Sequence, residues 1–168
     1  MPALPLSRRA AIAAALVLPA AAAAATKASA QSGSDAASVD LVRRWAEEVV
    51  SPLQPQFSDL AHPDLVMELH GAGGNADGTP RVLNGRPAVV AWFEQVKAQH
   101  AIPVSVRIDQ MVGQGDTVAV RAENNWTLRG EGGSQQRRVK TIAAFYKVQD
   151  GKIVHIWRFT DRVPRTQT

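Results

Sequence analysis

The stretch that decides the fold reads FYKVQDGKIVHIWRFTDR, residues 145–162. Two runs of alternating residues flank Asp150-Gly151, a dipeptide favoured in tight two-residue turns, so the sequence predicts a β-hairpin. The second run is apolar on both of its faces but places Arg158 in one row. An arginine there indicates either a polar group in a cavity or the solvated rim of a sheet.

Helical patterns precede the long strands. In chain order the sequence predicts a helix capped by Ser38, one or two helical turns at 56–61, a strand at 64–69, a short strand at 81–83, a helix from 87 to about 99, and four long antiparallel strands. Because the helices come first and the strands later, we expect an α+β fold with helices on one face of one sheet.

The first 30 residues have the layout of a secretory signal peptide. A basic start at Arg8 and Arg9 is followed by an alanine-rich apolar run and by small residues up to Ala30. We expect cleavage after Ala30, a polar lead-in at 31–37, the domain at 38–163 and a tail at 164–168. The chain is predicted to be exported, to the periplasm, and to lie free of the membrane after cleavage.

The sequence does not decide between two export routes. Ser7-Arg8-Arg9 resembles a twin-arginine signal, and the weakly apolar run with Lys27 fits that route. The phenylalanine and leucine that usually follow the arginines are absent, which keeps the general secretory route as the alternative.

Charge and cysteine content exclude several classes of function. Residues 1–30 hold three of the 19 basic residues and none of the 15 acidic ones, so 16 basic side chains face 15 acidic ones in the rest. This near balance argues against a nucleic-acid partner. The chain has no cysteine, which excludes disulfides, cysteine nucleophiles and thiolate metal sites.

Four segments together resemble SnoaL-like domains of the nuclear-transport-factor-2-like superfamily, which includes ketosteroid isomerase. They are HPDLVMELHG, NGRPAVVAWFEQV, DTVAVRAENNW and FYKVQDGKIVHIWRFTD, in this order and spacing. The resemblance implies a cone-like, curved antiparallel sheet wrapped around about three N-terminal helices, with a central apolar pocket. Members include isomerases, cyclases, dehydratases, epoxide hydrolases and domains that only bind a ligand, so the fold fixes no function.

The acid–base set of ketosteroid isomerase is not reproduced. The family pattern places Trp45 at its tyrosine, Leu69 at its aspartate base and Ala144 at its protonated aspartate. A slip of one residue brings Glu68 or His70 near the base position. The resemblance therefore argues against steroid-type isomerase chemistry.

Several residues are candidates for ligand contact. The family pattern turns Val154, Ile156, Arg158 and Thr160 towards the pocket, and the ligand-binding candidates are Arg158, Asn124, Trp126, Tyr146, Trp45 and Met67. Arg158 would bind a carboxylate or another oxyanion. The alternatives are an internal ion pair for Arg158, with Asp161, Glu68 or a helix carboxylate, and core packing for the others.

The best catalytic candidates are Asp161, as a general base at the pocket mouth, and His70, as a proton shuttle. The alternatives are a polar strand-end residue and a half-exposed histidine. The four histidines show no metal-ligand spacing, and the sequence predicts no metal and no cofactor.

The resulting hypothesis is an exported small-molecule-binding domain. Its ligand would be apolar or amphipathic, with a carboxylate or carbonyl. The sequence does not decide between simple binding and an enzyme of hydrolase, lyase or isomerase type. The alternative is a structural or assembly domain whose cone is filled by its own side chains. Ile153, Trp157 and Phe159 are expected on the outer face of the sheet, with Val139 and Phe145 beside them, which predicts a homodimer through that face.

Overall fold

The computed structural model describes residues 35–51, 53, 57, 59–129, 134–161 and 165–166. The predicted signal peptide and its cleavage site lie outside these residues. Helix α1 covers residues 35–50, and its last part, Trp45–Val50, is π-helical. The other elements are β1 (Ala61–Gly71), β2 (Arg81–Asn84), α2 (Gly85–Gln99), β3 (His100–Gln114), β4 (Thr117–Arg129), β5 (Gln135–Gln149), β6 (Lys152–Thr160) and β7 (Arg165–Thr166).

The strands form one curved, unclosed sheet in the order β2-β1-β6-β5-β4-β3, with β7 beside β5. The α+β class and the curved sheet are therefore confirmed. The sheet is mixed, however, because β1 and β6 run parallel, whereas the sequence analysis expects antiparallel strands throughout. A helix and three long strands separate β1 from β6, and so long a connection permits a parallel pair.

The described residues contain two helices and not three. Of the helical turns expected at 56–61, residues 56 and 58 lie outside the described residues, and 59–60 form a turn before β1. Neither helix of the described part is long and apolar enough to cross a membrane.

The predicted hairpin joins β5 and β6. Asp150 and Gly151 both have positive φ, 50° and 70°, as a type I′ turn requires. Beyond the turn, β5 and β6 pair with a register shift, because Val148 faces Ile153 while Lys147 faces His155. Val154 is therefore an extra residue, a β-bulge, which reverses the alternation at the start of β6.

This bulge corrects the expected outer face of the hairpin. Ile153 is fully buried in the core and does not lie on the outer face, and Val154 is not among the cavity residues. From Ile156 onward the predicted alternation holds.

Regular secondary structure extends past both predicted domain ends, residues 38 and 163. Residues 35–37, expected in a polar lead-in, are helical. Ser38 is thus a buried residue within α1, not its cap, and the carboxylate of Asp35 accepts the backbone N–H of Gly115 at 2.7 Å. Residues 165–166, expected in a tail, form β7 and pair with β5.

The core lies between the two helices and the inner face of the sheet. Trp45 of α1 meets Phe57 and Phe93 edge-on, with ring centroids 4.8 and 6.2 Å apart. Each such buried side chain contributes on the order of 1.5–3 kcal/mol. These contacts fix both helices against the sheet and define one wall of a cavity.

Candidate functional site

A cavity of about 530 Å³ opens between the helices and the inner face of β4, β5 and β6. Much of its wall is apolar: Trp45, Met67, Phe93, Val120, Ile142 and Ile156. The wall at Trp45 is π-helical, with the N–H of Ser51 donating to the carbonyl of Ala46. Such segments are frequent at functional sites because they widen a helix locally.

Arg158 points into this cavity from β6. Its guanidinium carbon lies 5.4 Å from the ring centroid of Trp92 on α2, within the range of a cation–π contact. No carboxylate of a described residue pairs with Arg158. Burial lowers its pKa, and only Tyr146 acts in the opposite direction. The expected alternative of an internal ion pair with Asp161, Glu68 or a helix carboxylate is therefore not observed among the described residues.

Three further cations line the cavity. Lys140 and Arg138 come from the inner row of β5, and Arg81 comes from β2. The ammonium of Lys140 lies 5.0 Å from the ring centroid of Trp126. Burial lowers the pKa of Lys140, and the positive charges of Arg158 and Arg138 lower it further.

The cavity lacks negative charge in the part of the chain that the structure describes. No Asp or Glu is among the described residues that line it. Four cations without a lining carboxylate create a positive potential inside an apolar space, where it is screened little by water. An anionic group on a ligand would complete this arrangement.

Two neutral polar groups also face the cavity. Asn124 of β4 is 6% exposed and Tyr146 of β5 is 7% exposed. Neither side chain hydrogen-bonds to another residue that the structure describes. Burial raises the pKa of the Tyr146 phenol to about 12, although Arg158 opposes this. The phenol is therefore a donor at neutral pH, and both groups are available to a ligand.

The structure brings together all six predicted ligand-binding residues. Arg158, Asn124, Trp126, Tyr146, Trp45 and Met67 line the cavity. Trp45 and Met67 are 1% and 2% exposed, so they serve mainly as packed wall.

Neither predicted catalytic residue reaches the cavity. Asp161 is exposed at the end of β6, where its backbone N–H lies 3.4 Å from the carbonyl of Thr141. His70 lies on the outer row of β1, since it alternates with buried Met67 and Leu69. Glu68, the other residue near the base position after a one-residue slip, shares that outer row.

The outer face carries a polar and aromatic cluster of its own. The carboxylate of Glu68 lies 2.8 Å from Nε2 of His155 and 3.5 Å from Nε2 of His70. The ring of His155 stacks on Trp157 at 3.9 Å, and that of His70 stacks on Phe159 at 4.4 Å. Among the described residues, no group of His, Cys, Asp or Glu is arranged to hold a metal ion.

Sequence reasoning missed Lys140, Arg138, Arg81 and Trp92. A signal for two of these was present, because Lys140 and Arg138 alternate with Tyr146, which is expected to point inward. The position of Trp92 beneath Arg158 depends on how α2 packs on the sheet, which no local pattern encodes.

The family model for the SnoaL-like domain matches residues 42–156, well over half of the chain. The chain belongs to the SnoaL-like domain family. No curated protein sequence matches this SnoaL-like domain at a significant level.

Solved structures share its fold. IdmH of Streptomyces antibioticus, described as a candidate polyketide cyclase, is 25% identical with a TM-score of 0.60, over 74% of this chain and 91% of IdmH. A candidate SnoaL-like polyketide cyclase from Jannaschia sp. CCS1 is 17% identical with a TM-score of 0.60, over 76% and 88%. An LEH-like epoxide hydrolase from M. tuberculosis is 12% identical with a TM-score of 0.58, over 76% and 84%.

Proposed function

We propose that this SnoaL-like domain binds a mostly apolar small molecule that carries a carboxylate, with Arg158 as the anchor for the anion. The observation that carries the proposal is the charge of the cavity: cations line it, and no described carboxylate does. A half-buried cation that no described carboxylate pairs with costs free energy, and a ligand carboxylate would offset that cost through a bidentate pair.

The remaining features of the site support an amphipathic ligand. A volume of about 530 Å³ lies within the usual range of small-molecule sites, roughly 300–1,000 Å³. Trp92 and Trp126 offer flat faces, and Asn124 and Tyr146 offer hydrogen bonds to a carbonyl or hydroxyl group. An open cavity of this size disfavours the alternative of a filled cone with an assembly role.

The family relationship supports enzymatic activity as well as binding. IdmH and the Jannaschia protein are described as candidate cyclases, and the M. tuberculosis protein as an epoxide hydrolase. Because no described Asp or Glu lines the cavity, a carboxylate base is not at hand. The cavity groups that can accept a proton are His100 and Lys140.

We also propose that the domain works outside the cytoplasm. Support comes from the basic start, the apolar run and the small residues that end at Ala30. Its ligand would then be a molecule present in the periplasm or imported across the outer membrane.

Isothermal titration calorimetry tests the binding proposal with 2-naphthoate and its neutral analogue 2-naphthamide. The wild-type chain is expected to bind the carboxylate at least about tenfold more tightly, the worth of one charge-assisted hydrogen bond. Arg158→Met should remove that preference. Arg121→Met, on the exposed row of β4, is the matched control and should keep it. Equal affinity of wild-type protein for the two probes would refute Arg158 as an anion anchor.

A further inference from the structure

We propose that Lys140 is the amine of a covalent site, which captures a ketone or aldehyde carbonyl as a protonated Schiff base while Arg158 holds the carboxylate of the same molecule. This inference rests on the proposed function, since it assigns the chemistry of the other end of the ligand. Its expected substrates are keto acids and aldehyde acids with an apolar body.

The position of Lys140 distinguishes it from other lysines of the chain. It is half-buried, faces the cavity and lies over the ring of Trp126. No described carboxylate pairs with it. Lys147, on the opposite row of the same strand, instead forms an ion pair of 2.5 Å with Asp116. A paired, solvated ammonium has no free electron pair, whereas an apolar, cation-rich cavity favours the neutral amine, which has one.

The surroundings of Lys140 favour its neutral form. Loss of water lowers its pKa first, and the charges of Arg158 and Arg138 add to this effect. A lysine that is desolvated, or placed beside another cation, is the usual activated amine for carbonyl chemistry. The position of Lys140 in the cavity and the positive charges around it therefore both favour a neutral amine.

The sheet register indicates how long the substrate is. Arg158 pairs across the strands with Ala144, and Lys140 lies four residues further along the same face of β5. Their backbones are thus about 13 Å apart along the strand direction, a distance that two long side chains shorten. The carbonyl and the carboxylate must therefore be separated by several bonds.

The step balances without any further reactant. The lone pair of the Lys140 Nζ adds to the carbonyl carbon, a C–N bond forms, and the π electrons move to oxygen. The oxygen takes one proton while the nitrogen loses one. The resulting hydroxyl leaves as water with a second proton from solvent, and the nitrogen electrons form the C=N⁺ bond. Amine, carbonyl and one proton give an iminium ion and water.

Tyr146 lies at the other end of the site, six residues from Lys140 along β5 and beside Arg158. Its phenol remains protonated because burial raises its pKa to about 12, so it can donate a hydrogen bond to the ligand carboxylate that Arg158 holds. The iminium ion draws electrons from the adjacent carbon. Bond changes of the lyase or isomerase type begin at such a carbon.

Reductive trapping tests the proposal. The mature protein is treated with 6-formyl-2-naphthoate and cyanoborohydride, and the adducts are located by peptide mass mapping at several pH values. We expect Lys140 to be modified first. The pH at which its modification rate reaches half of the maximum should be lower than the corresponding pH for Lys147. The neutral probe 6-formyl-2-naphthamide, and Arg158→Met with the charged probe, should each lower the Lys140 rate about tenfold.

The variants separate reactivity from binding. Lys140→Arg keeps a positive charge and should still bind 2-naphthoate but lose the cavity adduct. Lys147→Met should keep the adduct. If 2-naphthoate binds wild-type protein and Lys140 reacts no faster than Lys97 or Lys147, the covalent site is refuted and the binding function stands. If 2-naphthoate does not bind and Lys140 is not preferred, both are refuted. A Lys140 rate with the charged probe that Arg158→Met leaves unchanged refutes the assigned carboxylate anchor.

Discussion

Replacing Arg158 with methionine should stabilise the unliganded protein. Methionine has a similar length and fills the same space without a charge to desolvate. The cation costs several kcal/mol when it is removed from water without a partner, a cost reduced here because the side chain is only half-buried. The contact with Trp92 offsets about 0.5–2 kcal/mol of this cost. We expect the free energy of unfolding to rise by about 1–2 kcal/mol, or the melting temperature by about 4–8 °C.

Circular dichroism melting and guanidinium unfolding of residues 31–168 measure this change. Arg107→Met is the control, because Arg107 pairs with Asp109 at 2.6 Å and with Glu123 at 2.7 Å on the exposed surface. The free energy of unfolding of Arg107→Met should fall by no more than about 1 kcal/mol. At the same concentration, 2-naphthoate should raise the melting temperature of the wild type more than that of Arg158→Met. If Arg158→Met lowered the free energy of unfolding by about 3 kcal/mol or more, Arg158 would belong to a buried ion pair, and its role as an unpaired cavity cation would be excluded.

Tyr146 is the only tyrosine of the chain. Absorbance at alkaline pH should therefore show a single phenol that ionises near pH 12 in the folded state and near pH 10 in denaturant. Ionisation near pH 10 in both states would contradict the burial of Tyr146. Because the pKa of Lys140 is lowered in the folded state, the contribution of this residue to stability should rise with pH up to about 10.5. Lys140→Met, which removes the desolvated charge, should be more stable than the wild type at neutral pH, and the difference should shrink over that range. A constant difference would contradict the lowered pKa of Lys140. Light scattering should show that the wild-type protein is a dimer. Phe145 and Phe159 are 45% and 39% exposed, and Phe145→Glu and Phe159→Glu should each convert the dimer to a monomer. A monomeric wild type excludes the dimer. Sequencing of exported protein should begin at Gln31, and recovery of an intact Met1 would disprove cleavage.

Local patterns were sufficient for much of the fold. The Asp150-Gly151 turn, the helix that ends at residue 99 and the inward row of Ile156, Arg158 and Thr160 all follow from turn chemistry and periodicity. Non-local pairing was not predictable. The parallel contact of β1 with β6 depends on the whole chain, and the bulge at Val154 arises from how the two strands fit, which placed Ile153 on the wrong face.

The candidate site was predicted in part, for a physical reason. Arg158 was noticeable because a charge stands out in an apolar row. Arg138 and Lys140 lie at the start of a strand whose first four residues, Gln135 to Arg138, are all polar, so their charge resembles an ordinary solvated end. Only the packing of α2 against the sheet shows that this end closes over a cavity.

A crystal structure of residues 31–168 with 2-naphthoate would show directly whether Arg158 anchors a carboxylate. We predict the naphthalene ring between the indoles of Trp92 and Trp126, and the carboxylate oxygens about 2.7–2.9 Å from the guanidinium nitrogens of Arg158. A cavity that stays empty at saturating 2-naphthoate, or a carboxylate turned away from Arg158, would contradict the account.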